Sequence, residues 1–345
     1  MTVCLRFVGH DRLSNLSLDD LRGSRTTDGR AEARANRVPA FLAFRAAAAL
    51  TLGAILLTAC GPQASEHPSS GSPEPSRVAS ASAAPVGKHP SHVFVVIFEN
   101  EAADAALGPE APYLASLAAR YGYATNYLAT THPSQPNYLE IFSGSTQGVT
   151  DDKPHDVTAP SLADQLEGAG FTWRVYAENY PGNCFTGKKS LDGADGKGEY
   201  RRKHNPAISF TAISGDPARC ANITDFSHFD PAGSDVAFIV PNQCNDMHDC
   251  PISTGDAWAK RFLAPLIASP AMADGVLFIT FDEAHGDRSN HIATIVVAPR
   301  LAAPVTSAKA YGHPSLLRTI EELYGLPCLA DACQAEPMAD LLPPG

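Results

Sequence analysis

The stretch Thr131-His132-Pro133-Ser134-Gln135-Pro136-Asn137-Tyr138 places an imidazole, hydroxyls and a carboxamide in one turn, directly ahead of the apolar run Leu139-Glu140-Ile141-Phe142. Pro136 suits the first turn of a helix, where its missing N–H leaves nothing unsatisfied. Ser134 is then expected at or beside the N-cap, its hydroxyl among free backbone N–H groups at the positive end of the helix dipole. A serine so placed either caps the helix or offers a nucleophile to an anion, and the rest of the chain has to decide between the two. A second group of residues bears on that choice. Four apolar runs of strand length end directly in polar pairs: Glu99-Asn100, Glu178-Asn179, Pro241-Asn242 and Asp282-Glu283. Carboxylate and amide oxygens are the ligands of hard or borderline divalent cations, so Glu99, Asn100 and Asp282 are candidates to share one.

The runs that must carry these residues are Val93–Phe98, 172–177, Val236–Val240, Val276–Phe281 and 292–298, all rich in β-branched and aromatic residues and only weakly alternating. Strands buried on both faces look like this. Between them, 112–122, 161–170, 255–269 and 315–325 have helical spacing. The alternation predicts an α/β fold, a mostly parallel central sheet with helices on both faces. In such sheets ligands bind beyond the carboxyl ends of the strands, where the polar pairs stand. Histidines cluster in the same loops: His204 in 202–206, His248 in 242–250, His285 and His291 in 282–291, and His313 in 311–315. A disulfide between Cys244 and Cys250 would hold Asn245, Asp246 and His248 rigidly.

The N-terminal part is of a different kind. Residues 37–61 combine basic flanks, an apolar core of export-signal length and the sequence Leu57-Thr58-Ala59-Cys60, the form of a bacterial lipoprotein signal with the lipid on Cys60. The apolar stretch is short for a membrane-spanning helix. Residues 1–37 are long for the front of such a signal, which suggests a start further downstream, at Val38. Residues 60–91 are rich in Ser, Pro, Ala and Gly and read as a tether. The expected division is therefore an extension and signal over 1–59, a tether over 60–91 and one folded domain over 92–345, about 250 residues.

Eight cysteines are present. With Cys4 and Cys60 set aside, Cys184, Cys220, Cys244, Cys250, Cys328 and Cys333 form an even set, as expected of an exported protein with disulfides. The short spacings 244/250 and 328/333 would leave 184 with 220, although spacing does not fix connectivity; a zinc cluster is disfavoured because there is no CxxC pair. From Cys60 onward the chain has 18 Lys and Arg against 32 Asp and Glu, a net 18 − 32 = −14 with His neutral. That balance argues against a nucleic-acid partner and against adhesion to anionic lipid by charge.

Six segments taken together, Phe98-Glu99-Asn100, residues 131–144, 202–206, 241–250, 281–287 and 313–326, resemble the bacterial phosphoesterase family of acid phosphatases and phospholipases C, in the alkaline-phosphatase-like superfamily. The likeness spans roughly His92 to Leu326. It implies a metal-dependent phosphoester hydrolase with Ser134 as nucleophile and Glu99, Asn100, Ser134, Asp282 and Glu283 around a divalent cation. It also implies that His204, His248 and Asn137 surround the phosphate, with His248 as proton donor to the leaving group. His132, Asn242, Asp246, His285, His291 and His313 lie in matching segments and are further candidates for the phosphate site. The implied substrate is a phosphorylated small molecule or lipid headgroup. A phosphomonoesterase is favoured over a phospholipase C because the chain stops soon after Leu326; a non-catalytic binding lipoprotein on the same fold is the alternative from another class.

Overall fold

The computed structural model describes residues 89–190, 199–286 and 289–344. The signal, Cys60 and the tether up to residue 88 lie outside the described residues. Nine strands form one sheet: β1 (Val93–Phe98), β2 (Gly122–Leu128), β3 (Trp173–Ala177), β4 (Ile223–Thr224), β5 (Val236–Val240), β6 (Val276–Phe281), β7 (His291–Val297), β8 (Val305–Ser307) and β9 (Tyr311–Gly312). Their order is β4-β3-β5-β1-β6-β7-β2-β8, with β9 also paired to β2. All pairings are parallel except those of β7 with β6 and β2. The sheet is the expected mostly parallel one, and β7 is its single reversed strand.

β1, β5 and β6 are buried at every residue. Successive side chains of a strand point to opposite faces, so complete burial means that both faces are covered. The expected helices form over Pro112–Arg120, Leu162–Gly168, Ile252–Ile267 and His313–Leu323. β2 went unpredicted because its sequence, Gly-Tyr-Ala-Thr-Asn-Tyr-Leu, has few apolar side chains and its pairing with β7 shifts register between Ala124 and Tyr127.

The central position of β1 explains the strand-end acids. It lies between β5 and β6, and Phe98 pairs with Phe281, so Glu99 and Asp282 leave the sheet side by side. The Asp282 N–H donates to Phe98 O at 3.0 Å and the Glu99 N–H to Asp246 O at 2.9 Å, bringing the loop after β5 to the same point. The asparagines after two of the strands have a local role as well: Asn100 and Asn179 have φ of 53° and 64°. Asparagine enters this left-handed region more readily than other side-chain-bearing residues.

Among the described residues the disulfides are Cys184–Cys220, Cys244–Cys250 and Cys328–Cys333. The last closes a loop anchored to the helix Ser134–Ser143, since the Asp331 N–H donates to Gly144 O at 2.9 Å. Gly144 ends that helix at φ 71°, and a Cβ there would stand 2.3 Å from Leu329 O, so only glycine fits.

Two buried carboxyls fasten the same region. Glu140 accepts from the Thr130 hydroxyl, and Glu321 Oε1 accepts from the Leu329 N–H at 2.8 Å. Burial pushes each up from 4.5 to about 7; the Thr130 hydroxyl partly opposes this at Glu140, and hydrogen bonds from Gln165 and Leu329 oppose it at Glu321. Between 4.5 and 7 the folded protein therefore holds protons that the unfolded chain has lost, and stability falls as pH rises through that window. The Tm is expected to decline from pH 4.5 to 7, and Glu140→Gln to flatten the decline. Thermal melts across this range, with a chelator present throughout, check it; a slope identical in the variant removes Glu140 as a source.

Candidate active site

The helix Ser134–Ser143 starts at Ser134, with Pro133 in the N-cap position, one residue before the expected cap. Helix boundaries differ by this much between criteria; the consequence here is that the Ser134 hydroxyl caps nothing. It points at charged groups instead. Ser134 Oγ lies 3.2 Å from Glu99 Oε2, 3.2 Å from Glu283 Oε1 and 3.3 Å from Lys203 Nζ, and it is buried. The hydroxyl thus stands between two carboxyl groups and an ammonium and does not hold the helix end.

Glu99 is the hub. Its Oε1 accepts from the Tyr138 hydroxyl, and its Oε2 lies 3.2 Å from His204 Nε2. His204 stacks on the Tyr138 ring at 5.4 Å and presents Nδ1 to Asp246 Oδ2 at 3.5 Å. Burial alone would raise Glu99, but the charge and hydrogen bond of His204, then Lys203 and Tyr138, outweigh it and hold the carboxyl down at about 2. Burial would lower His204, and Glu99 and Asp246 together raise it. The other acids go the opposite way. Burial raises Asp246 to about 6, and burial followed by the charges of Glu99 and Glu283 raises Asp282 well above the ordinary carboxylate value. Glu283 is also raised, by burial, against the opposing charge of His132.

Four carboxyls packed this closely repel one another, and the polar atoms at the centre are unsatisfied. His204 Nε2, Asp246 Oδ2 and Asp282 Oδ2 are buried without an aligned hydrogen bond. One ligand atom from each of Glu99, His204 and Asp246 falls within 4.8 Å of the others, and all three residues are buried. Oxygen-rich donors with one imidazole, facing one another and several of them without a hydrogen bond, fit a divalent cation. Asp282 is held from outside: its Oδ1 accepts the Asn100 N–H at 3.0 Å, and its Oδ2 has no hydrogen-bond partner.

Several expected residues have other work. Asn137, expected to touch the phosphate, is fully used by its own loop: Oδ1 accepts from Thr130 N and Thr131 N at 3.2 and 3.1 Å, and Nδ2 donates to Thr131 O and Pro133 O at 2.8 and 3.3 Å. It shapes the turn that presents Ser134. His313 is buried and uncharged, pushed down to about 4 by burial, and its Nε2 lies 2.7 Å from Asp282 O. The carbonyl can only accept, so Nε2 carries the proton and Nδ1 accepts from Tyr127 OH at 3.3 Å. This histidine braces the Asp282 backbone. Asn242 folds its own loop, its Oδ1 accepting from Cys244 N and Asn245 N at 3.1 and 3.0 Å. His291 Nε2 turns to Thr125 O at 3.0 Å, and with His285 it lines a separate hollow beside Asp104. His132 pairs with Glu283 rather than facing Ser134 directly. His248 is at the rim, its ring 5.9 Å from that of His204 and its Nδ1 2.7 Å from Asp249.

Lys203 went unpredicted, although it precedes His204 in a segment singled out for its histidine. Its ammonium bridges Ser134 and Asp152, 2.8 Å from Asp152 Oδ2. Burial would lower it, and Glu99 and Asp152 more than compensate, so it stays charged. Tyr138 was also missed, since an aromatic residue at helical spacing reads as core.

Comparison with known proteins gives a consistent picture. The sequence pattern described as the phosphoesterase family matches residues 108–327. The phosphatidylinositol-3-phosphatase of Mycobacterium tuberculosis is 34% identical over 259 residues, covering 73% of this chain and 82% of that protein. A probable acid phosphatase of Kluyveromyces lactis is 34% identical over 254 residues, covering 68% and 58%, and an acid phosphatase of Aspergillus fumigatus is 31% identical over 217 residues, covering 59% and 48%. The chain thus spans about half the length of these two fungal relatives. Among solved structures, the lipoteichoic acid synthase LtaP of Listeria monocytogenes superposes with a TM-score of 0.50 at 13% identity, covering 71% of this chain and 76% of that one. A protein of the alkaline phosphatase superfamily from Vibrio parahaemolyticus gives 0.48 at 11% identity, covering 72% and 70%. At such identities the likeness concerns the fold.

Proposed function

Because the chain belongs to the phosphoesterase family, we propose that it cleaves phosphomonoesters through a phosphoseryl intermediate on Ser134, with a divalent cation in the acidic cluster. The observation that carries this reading is the setting of Ser134 Oγ, buried between Glu99, Glu283 and Lys203. Glu99, Asp246, His204 and Asp282 would hold the cation, with Ser134, Glu283 and Asn100 beside it. When bound, such an ion lowers the pKa of a ligating hydroxyl and draws charge from phosphoryl oxygens.

The side chains supply the rest. Glu99 and Glu283 are the carboxylates within reach of the hydroxyl proton, and Lys203 offsets the charge that builds on Oγ and on the phosphoryl oxygens. Ser134 Oγ attacks phosphorus in line as the ester P–O bond breaks, and His248 at the rim gives the leaving oxygen its proton. Water, losing a proton to the same imidazole, then attacks the phosphoserine, releases phosphate and restores the hydroxyl. Tyr138 fixes Glu99, and Asn137 fixes the turn.

The substrate in this reading is a phosphorylated small molecule or a lipid headgroup; support comes from relatives named as an acid phosphatase and as a phosphatidylinositol-3-phosphatase. Export as a lipoprotein through Cys60 is part of the proposal, supported by the signal pattern and by disulfides that suit an oxidising compartment. Palmitate labelling of the full chain that persists in Cys60→Ser would refute the lipid site. The activity is tested by p-nitrophenol release from p-nitrophenyl phosphate and bis-p-nitrophenyl phosphate between pH 4 and 8, with and without a chelator. Cation-dependent cleavage of the monoester is expected. Preference for the diester would replace phosphatase with phosphodiesterase, and no release from either would leave a binding protein.

A further inference from the structure

Beside the nucleophile is a cavity of about 230 Å³ whose wall includes Lys153, Lys188, Arg201, Arg202 and Lys203, with Asp152 as its one acid. Five of the 18 lysines and arginines found from Cys60 onward line this one hollow, in a stretch that carries 32 acids. Of the acids that pair with these cations only Asp152, held by Lys203 at 2.8 Å, is in the wall; Asp151 holds Lys153 at 2.6 Å, Glu199 holds Arg201 at 2.9 Å, and Asp156 holds Arg202 at 2.6 Å from outside it. Lys188 is exposed and has no acidic partner among the described residues. Lys203 belongs to both places, touching Ser134 Oγ and lining the cavity, so a molecule whose phosphate meets Ser134 extends into it.

A second observation narrows the ligand. Gln243 lines the same cavity, is 1% exposed, and its Oε1 has no hydrogen-bond partner. A buried acceptor left unpaired costs free energy until a donor reaches it. A phosphate dianion has no proton to give, whereas a hydroxyl does. We propose that this cavity is a specificity subsite for a second anionic phosphate carried by a polyol, so that the preferred substrates are polyol phosphomonoesters bearing another phosphate group. The subsite rests on the phosphatase reading for its placement next to the scissile phosphate. Lys188 and Arg201 meet the second phosphate, and Gln243 accepts from a ring hydroxyl. The same chemistry is found in a free inositol bisphosphate and in the headgroup of a phosphoinositide, where the second phosphate is the diester to the lipid.

Three substrates are compared by kcat/KM: D-myo-inositol 1,3-bisphosphate, phosphatidylinositol 3-phosphate in phosphatidylcholine vesicles, and p-nitrophenyl phosphate, for the wild type, Lys188→Glu and Lys188→Arg. At least one of the two doubly anionic substrates is expected to be preferred over p-nitrophenyl phosphate. That preference should shrink by about tenfold in Lys188→Glu, through KM rather than kcat, weaken with added salt, and survive in Lys188→Arg. Preference for the soluble compound identifies a free bisphosphate as the source, and preference for the vesicles a lipid headgroup. A preference ratio that Lys188→Glu does not change overturns the subsite.

Titration calorimetry of inositol 1,3-bisphosphate against inositol 1-phosphate, with Ser134→Ala and Ser134→Ala/Lys188→Glu, separates this proposal from the phosphatase reading. Tighter binding of the bisphosphate that is lost with Lys188→Glu supports the subsite even if no ester is turned over. Equal binding of the two ligands overturns it even if p-nitrophenyl phosphate is cleaved.

Discussion

Ser134→Ala is expected to lower kcat on p-nitrophenyl phosphate by about 10⁴-fold or more, about 5 kcal/mol of barrier, while leaving the fold in place. The size follows from covalent catalysis: without the hydroxyl there is no phosphoserine, and the two-step route is closed. Stability should change little, because each neighbour of Oγ keeps another partner. Glu99 retains Tyr138, Glu283 retains His132 and Lys203 retains Asp152. A shift of no more than about 1 kcal/mol, a few degrees in Tm, is expected. Acid quenching during turnover of a ³²P-labelled monoester should leave label on the wild-type protein and none on the variant. Wild-type turnover by Ser134→Ala would remove the proposed mechanism.

The sheet was legible because β1, β5 and β6 are apolar at every position, a pattern that only strands covered on both faces produce. Glu99 and Asp282 were legible for the same reason, since an acid directly after such a run must leave the sheet at its carboxyl end. The sequence did not show that β1 separates β5 from β6, and this adjacency is what joins Glu99, Asp246 and Asp282 into one cluster. Residue type alone misassigned the side chains whose hydrogen bonds are satisfied locally. Asn137 and Asn242 look like phosphate donors but fold their own turns, and His313 looks like a phosphate-site residue but braces the Asp282 backbone. Lys203 was hidden for the converse reason. A lysine next to a histidine in a loop reads as solvated charge until the fold turns it onto Ser134, 69 positions away in the chain.

Asp282→Asn is expected to abolish turnover and to make the cation-free protein more stable, two effects of opposite sign from one atom. In chelator, Asp282 is buried beside Glu99 and Glu283 and holds its proton well above 3.8, so folding near neutral pH must take up a proton that the unfolded chain has given away. A group raised in this way contributes its full stability below its unfolded pKa and loses it as pH climbs. Asparagine has no proton to take up, and its side-chain oxygen can still accept the Asn100 N–H that Asp282 Oδ1 now holds at 3.0 Å. The variant's advantage is therefore absent at pH 3.8 and grows as pH rises toward neutrality. A divalent cation should reverse the ranking. It stabilises whichever form binds it, in proportion to the logarithm of its concentration over Kd, and the wild type has the extra anionic ligand. Melts of both proteins at pH 7, in chelator and in a titration of Mg²⁺, Ca²⁺, Mn²⁺ or Zn²⁺, should cross. If Asp282→Asn is the less stable protein in chelator as well, Asp282 is a structural carboxylate, and the cluster is not held in electrostatic conflict for the sake of a cation.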